Sequence, residues 1–181
     1  GSQGASGIHQ LILDTLPLLR ARVSELQFLH LTGPNDFKKV GAAYREQNCQ
    51  ATVRSFLPEM ELALGAATVA VSRAGASALA ELAAIDLPAI LIPYPAAAGN
   101  HQFFNAREFA QSGAAHLLEQ REATPEKLAS LIAELIQQPF SHEKMQNALR
   151  RWHVPDAAQK IADQLRAVMS ERRAGTELEQ S

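Results

Sequence analysis

Ile8, Leu11, Ile12, Leu16, Leu19 and Val23 recur every three or four positions, with Thr15 on the same side. That period predicts an amphipathic helix over residues 7–23, bent or shortened by Pro17. LQFLHLTG, residues 26–33, is a short apolar run closed by glycine and predicts a strand. Residues 34–48 open with Pro, Asn and Asp, the residues that start helices. The same unit then repeats. Apolar runs at residues 51–56, 68–72, 89–93 and 114–119 are each followed by a helical stretch: MELALGAA, SRAGASALAEL, NHQFFNAREFAQSG and TPEKLASLIAELIQQ. Strands alternating with helices in this way predict a doubly wound α/β domain, a parallel sheet covered on both faces.

After Pro139 the period is helical only, in residues 141–152 and again from Pro155, where the apolar stripe fades after Met169. The expected organisation is one α/β domain over residues 1–154, a C-terminal helix over 155–173 and a disordered tail over 174–181. The opening GSQGA is a glycine-rich turn of the kind that joins a strand to a helix, yet no strand precedes it. It predicts that a first strand and an N-terminal part lie outside this sequence, which would leave one sheet position empty.

The 181 residues, 46% hydrophobic, suffice for one substantial core. A net charge of −2 and a pI near 6.3 supply no basic field for nucleic acid. Cys49 stands alone, which excludes an internal disulfide and a cysteine zinc cage and fits a reducing, cytoplasmic compartment. The most apolar stretch, residues 87–98, contains three prolines and is shorter than the roughly 20 residues of a spanning helix, and no signal peptide opens the sequence.

In open parallel sheets ligands bind beyond the carboxyl ends of the strands. SRAGASALAEL sits there. Gly75, followed by the small residues Ala76, Ser77 and Ala78, would leave the first amides of a helix bare, where a phosphate can approach the positive end of the helix dipole. Glu81, six residues after Gly75, suits a pair of vicinal hydroxyls such as those of a ribose. The competing reading makes Gly75 a packing glycine and Glu81 a solvated helix residue. Ser2 and Gly4 in GSQGA offer a hydroxyl and amides to a second face of a diphosphate. His101, Gln102 and Asn105 open a helix directly after a strand, and Gln102 and Asn105 share a helix face suited to sugar hydroxyls. The alternative is an ordinary polar first turn.

The other histidines, His9, His30, His116, His142 and His153, lack metal-type spacing and read as packing or surface residues. Trp152 reads as an aromatic packed at a helix end. No Ser-His-Asp set, catalytic carboxylate pair or P-loop is in workable order, so the sequence reads as a binding half without its own general base, and no cofactor is expected.

GSQGA, FLPEM, SRAGASALAEL, LPAILIPYP and GNHQFFNA, in this order, resemble the C-terminal domain of the MurG family of peptidoglycan glycosyltransferases. The resemblance spans nearly the whole sequence. It implies a GT-B architecture of two Rossmann-like domains, with UDP-GlcNAc held mainly by the C-terminal one. It implies that Ser2 and the amides of Ala76 to Ala78 hold the diphosphate, that Glu81 binds the ribose, that the backbone of Leu57 reads uracil, and that Gln102 and Asn105, with His101 beside them, contact the sugar. It further implies transfer of GlcNAc to lipid I to make lipid II, with inversion and without a metal. The base would lie in the N-terminal domain, and the protein would sit peripherally on the cytoplasmic face of the bacterial inner membrane. Two departures stand out: Ala78 occupies a position where the family commonly has threonine, and Ser6, Gly7 and His9 alter the context after GSQGA. The lost hydroxyl would cost roughly 0.5 to 1.5 kcal/mol unless Ser77 substitutes for it. Two other readings are a separate binding subunit of a split GlcNAc transferase with a membrane partner, and a nucleotide-sugar epimerase or hydrolase.

Overall fold

A computed structural model describes residues 6–178, with side chains to Met169. Ser2 and Gly4 lie outside the described residues. The order is α1 (Ser6–Arg22), β1 (Phe28–Leu31), α2 (Gly33–Glu46), β2 (Ala51–Arg54), α3 (Met60–Ala66), β3 (Ala70–Ser72), α4 (Ala76–Ala84), β4 (Ala89–Leu91), α5 (His101–Gln111), β5 (His116–Leu117), α6 (Pro125–Gln137), α7 (Pro139–Leu149) and α8 (Ala157–Leu178). The alternation is the expected one. The last helix continues past the boundary drawn at residue 173, as far as Leu178.

Every strand pair is parallel, as helical crossovers require. The sheet is in two hydrogen-bonded pieces, β1–β2 and β3–β4–β5. Among the described residues β1 and β3 are therefore each paired on one side only. β4 is the central strand of its piece: Ile90, Leu91 and Ile92 are fully buried, which explains a continuous apolar run rather than an alternating one.

Helix α1 ties the two pieces together. Ile8, Ile12 and Leu19 join the large core around β4, with Leu79, Leu82, Leu128 and Leu135, while Leu13 and Leu16 pack with Val40 and Tyr44 over β1–β2. Of the two effects expected of Pro17, shortening does not occur: the helix runs through it. A proline at position 17 withdraws the N–H that would serve the Leu13 carbonyl. Gln47 replaces it, donating from Nε2 to Leu13 O at 3.2 Å. Burial of Leu16 and Leu19 on either side of the proline holds the helix through it.

Below α1 runs a buried polar chain. His9 Nε2 lies 3.2 Å from Thr32 O, and a carbonyl only accepts, so that nitrogen carries the proton. His9 Nδ1 then accepts from His30 Nε2–H at 2.8 Å, and His30 Nδ1 accepts from the Tyr44 hydroxyl at 3.0 Å. Direction is thereby fixed along the whole chain with both imidazoles neutral. Burial, and secondly the neighbouring His9, push His30 down to about 4. Burial also lowers His9, although Asp36, 3.9 Å away, opposes it. At that distance the carboxylate does not offset desolvation, and the bond to Thr32 O already satisfies Nε2. Burial raises the Tyr44 hydroxyl above its ordinary value. The expectation of packing roles for His9 and His30 holds. Trp152 also packs, stacked on Phe109 at 4.3 Å and donating from Nε1 to Ser112 Oγ at 2.8 Å.

A group held neutral this way binds fewer protons folded than unfolded, so stability is intact above an unfolded value near 6.5 and falls as pH drops towards 4. Urea unfolding across pH 7 to 4 should show a loss of roughly 3 kcal/mol from His30 alone. The slope should flatten in His30→Gln; the same slope in that variant would place the acid sensitivity elsewhere.

Candidate functional site

The carboxyl ends of β3 and β4 deliver the turns that start α4 and α5. The first helical bond of α4 runs from Leu79 N–H to Gly75 O at 3.0 Å, so the amides of Ala76, Ser77 and Ala78 lie outside the helical ladder. No side chain caps them. Gly75 has φ −71°, a value any residue adopts. A Cβ built on it would meet nothing within 4 Å. Neither strain nor packing requires glycine there, so the packing alternative loses its basis. What remains is room for a ligand to reach the amides.

Glu81 projects from the same helix, one turn beyond Ser77 and Ala78. It is exposed and has no hydrogen bond or ion pair among the described residues. A carboxylate with all its acceptor sites open can take two hydroxyl donors at once.

Gln102 and Asn105 are brought to the same place by bonds to the loops beside α4. Tyr94 N–H donates to Gln102 Oε1 at 3.1 Å, and Asn105 Nδ2 donates to Ala74 O at 3.1 Å. Each amide has thus spent one end on the protein. Gln102 keeps its NH2 for a ligand and Asn105 keeps its carbonyl oxygen, a donor and an acceptor three residues apart. His101 is exposed, and its Nδ1 donates to Ala98 O at 2.8 Å, which leaves Nε2 as the acceptor in the neutral ring. The chain turns into α5 through Gly99 and Asn100, both left-handed at φ 57° and 55°. Leu57 lies in the turn after β2, half-buried beside an exposed Phe56. It shares the carboxyl edge of a parallel strand, but no hydrogen bond joins it to the α4 and α5 groups among the described residues.

Three contributors escaped the sequence reading: Arg73, Tyr94 and Gln120. Arg73 Nη1 donates to Ile92 O at 3.0 Å and Pro93 O at 2.9 Å, and Nη2 donates to Gln120 Oε1 at 2.9 Å. Its guanidinium carbon lies 5.3 Å from the Tyr94 ring centre. Burial pulls the Arg73 pKa down from its ordinary value while Tyr94 supports it, and an arginine stays charged throughout. The available signal was position, since all three follow strand ends.

A depression of about 520 Å³ lies away from this edge, lined by Phe37, Lys38, Tyr44, Arg45, Cys49 and Val53 among others. It is half open and lies away from the strand ends where open parallel sheets bind ligands, so the groups at α4 are the better guide.

The glycosyltransferase family 28 C-terminal domain matches residues 1–164. The sequence is 41% identical over 163 residues to the UDP-N-acetylglucosamine--N-acetylmuramyl-(pentapeptide) pyrophosphoryl-undecaprenol N-acetylglucosamine transferase of Anaeromyxobacter sp. (strain Fw109-5), covering 90% of this chain and 43% of that relative. It is 38% identical over 164 residues to the transferase of the same name from Zymomonas mobilis, covering 90% and 42%. The chain therefore spans less than half the length of these relatives. The crystal structure of Acinetobacter baumannii MurG superposes with a TM-score of 0.80 at 28% identity, covering 92% of this chain and 48% of that one. The glycosyltransferase VinC, at 18% identity and a TM-score of 0.54, covering 82% and 43%, shares the fold.

Because Gly75 serves neither packing nor backbone strain, Gly75→Ala should leave thermal stability within about 1 kcal/mol of the parent, the N-cap preference for glycine being small and opposed by the entropy gain. Thermal melts check this, and a loss above about 2 kcal/mol would return the glycine to a structural role.

Proposed function

The chain belongs to glycosyltransferase family 28 through that family's C-terminal domain, and on this premise we propose that it is the donor-binding half of an inverting hexosyltransferase using UDP-GlcNAc. The observation that carries the proposal is the open start of α4, where three amides and an unfilled glycine position meet an unpartnered carboxylate one turn on. A uridine diphospho-sugar needs each part. The diphosphate takes the amides of Ala76, Ser77 and Ala78. The ribose hydroxyls donate to Glu81, and the backbone at Leu57 reads the uracil. The hexose meets the free NH2 of Gln102 and the free oxygen of Asn105, with His101 adjacent.

In the reaction the sugar–phosphate bond breaks and UDP leaves with its added negative charge beside the α4 amides, whose dipole is in place before the charge develops. Among the described residues we assign none the role of taking the acceptor's proton. That base belongs to an N-terminal domain, which also binds the acceptor. The relatives are named for transfer of N-acetylglucosamine to N-acetylmuramyl-(pentapeptide) pyrophosphoryl-undecaprenol, and on that likeness the acceptor is lipid I, the product lipid II and the process peptidoglycan synthesis. A lipid-linked acceptor puts the longer protein on the cytoplasmic face of the inner membrane as a peripheral component. No described helix is long and apolar enough to cross a membrane. The exposed Ile161, Leu165, Val168 and Met169 of α8 fit a face that the N-terminal domain covers.

Calorimetric titration of the chain with UDP-GlcNAc, UDP-glucose and UDP tests the proposal. All three should bind, UDP-GlcNAc most tightly, and Glu81→Gln should weaken each by on the order of tenfold because the hydroxyls lose a charged acceptor. A folded chain that binds none of them, or a Glu81→Gln variant that binds as the parent does, would contradict it.

A further inference from the structure

Gln102 can serve a sugar only if its carboxamide is held one way round, and the structure shows what holds it. Its Oε1 accepts from Tyr94 N–H, so the orientation of Gln102 is set by where the peptide at Tyr94 stands. That peptide begins a run from residue 94 to residue 100 with no strand pairing of its own. Its fixed point is Arg73. One nitrogen of the guanidinium, Nη1, bridges the successive carbonyls of Ile92 and Pro93, directly before Tyr94, and the cation lies over the Tyr94 ring. The other nitrogen, Nη2, is anchored on Gln120 in the turn after β5. Gln120 in turn lies 3.1 Å from the Cβ position of Gly7, at the start of α1. Arg73 thus links the ends of β3, β4 and β5 beneath the open start of α4.

We propose that Arg73 is a positioning residue for sugar selection: its planar fork fixes the Tyr94 peptide, and the Tyr94 amide locks Gln102 with its NH2 turned towards the ligand. The role depends on geometry rather than charge. A lysine would keep the cation but has a single nitrogen, which cannot bridge two carbonyls, hold Gln120 and stack on Tyr94 together. Sugar-independent binding by the α4 amides does not pass through this clamp, so its loss should appear as lost discrimination rather than lost nucleotide affinity.

The test is Arg73→Lys in the full chain, with two readouts. The first needs no ligand: amide exchange at Tyr94, followed by NMR, should accelerate about tenfold while the core amides of β4 keep their protection. The second, which rests on the donor-site reading above, is titration with UDP and UDP-GlcNAc. UDP affinity should stay within about threefold of the parent, while the advantage of UDP-GlcNAc over UDP shrinks several-fold. Parental exchange at Tyr94 in the folded variant would overturn the proposal, as would equal weakening of both ligands, which marks a phosphate contact or a general defect. If the parent chain binds no uridine ligand, the donor-site reading fails and exchange at Tyr94 alone decides the clamp. If Arg73→Lys does not fold, Gln120→Met removes one anchor and should accelerate Tyr94 exchange in the same direction by a smaller factor; no change there would overturn the clamp.

Discussion

Parallel pairing is the constraint on which the rest of this molecule depends. Within β3–β4–β5, strands running one way bring their carboxyl ends, and the helix starts that follow, to a single edge. The bare amides of α4, the first turn of α5 and the turn after β5 meet there as a consequence of topology. The buried run Ile90 to Ile92 makes that edge rigid, because the central strand is enclosed on both faces and the carbonyls just beyond it, of Ile92 and Pro93, serve as fixed acceptors for Arg73. A core strand and a site residue are thus parts of one arrangement.

On the proposed donor-site reading, the polar groups at this edge divide the work between protein and ligand. Gln102 and Asn105 each give one end of the amide to a neighbouring loop and keep the other, which turns two flexible side chains into an oriented donor and acceptor. Glu81 and the α4 amides keep everything for the ligand. Preorganised but unsatisfied groups of this kind cost stability, and the large apolar core below them offsets that cost.

Much of this was legible in the residues. Alternating apolar runs and helical periods located every strand and helix within a few positions, and GASALAEL announced a bare helix start followed by an acid. Less visible were bonds between positions far apart in the chain. Pro17 reads as bending or shortening its helix because nothing local shows that Gln47 serves the carbonyl it orphans. His9 and His30 read correctly as packing residues, but their directed link to Tyr44 depends on three elements meeting. Arg73 lay inside the quoted motif and was passed over, since its partners are carbonyls 19 and 20 residues away, which have no signature in sequence. The break of the sheet into two pieces likewise appears only once pairing is seen.

The central claim is that a uridine diphospho-sugar sits on the start of α4 and reaches α5. NMR shift mapping of the labelled chain with UDP-GlcNAc tests it most directly. The account predicts perturbation concentrated at residues 75–81 and 94–105, with the nucleotide part felt at Leu57. Saturable perturbation confined to the depression around Phe37, Tyr44 and Val53, with residues 75–81 unmoved, would contradict it.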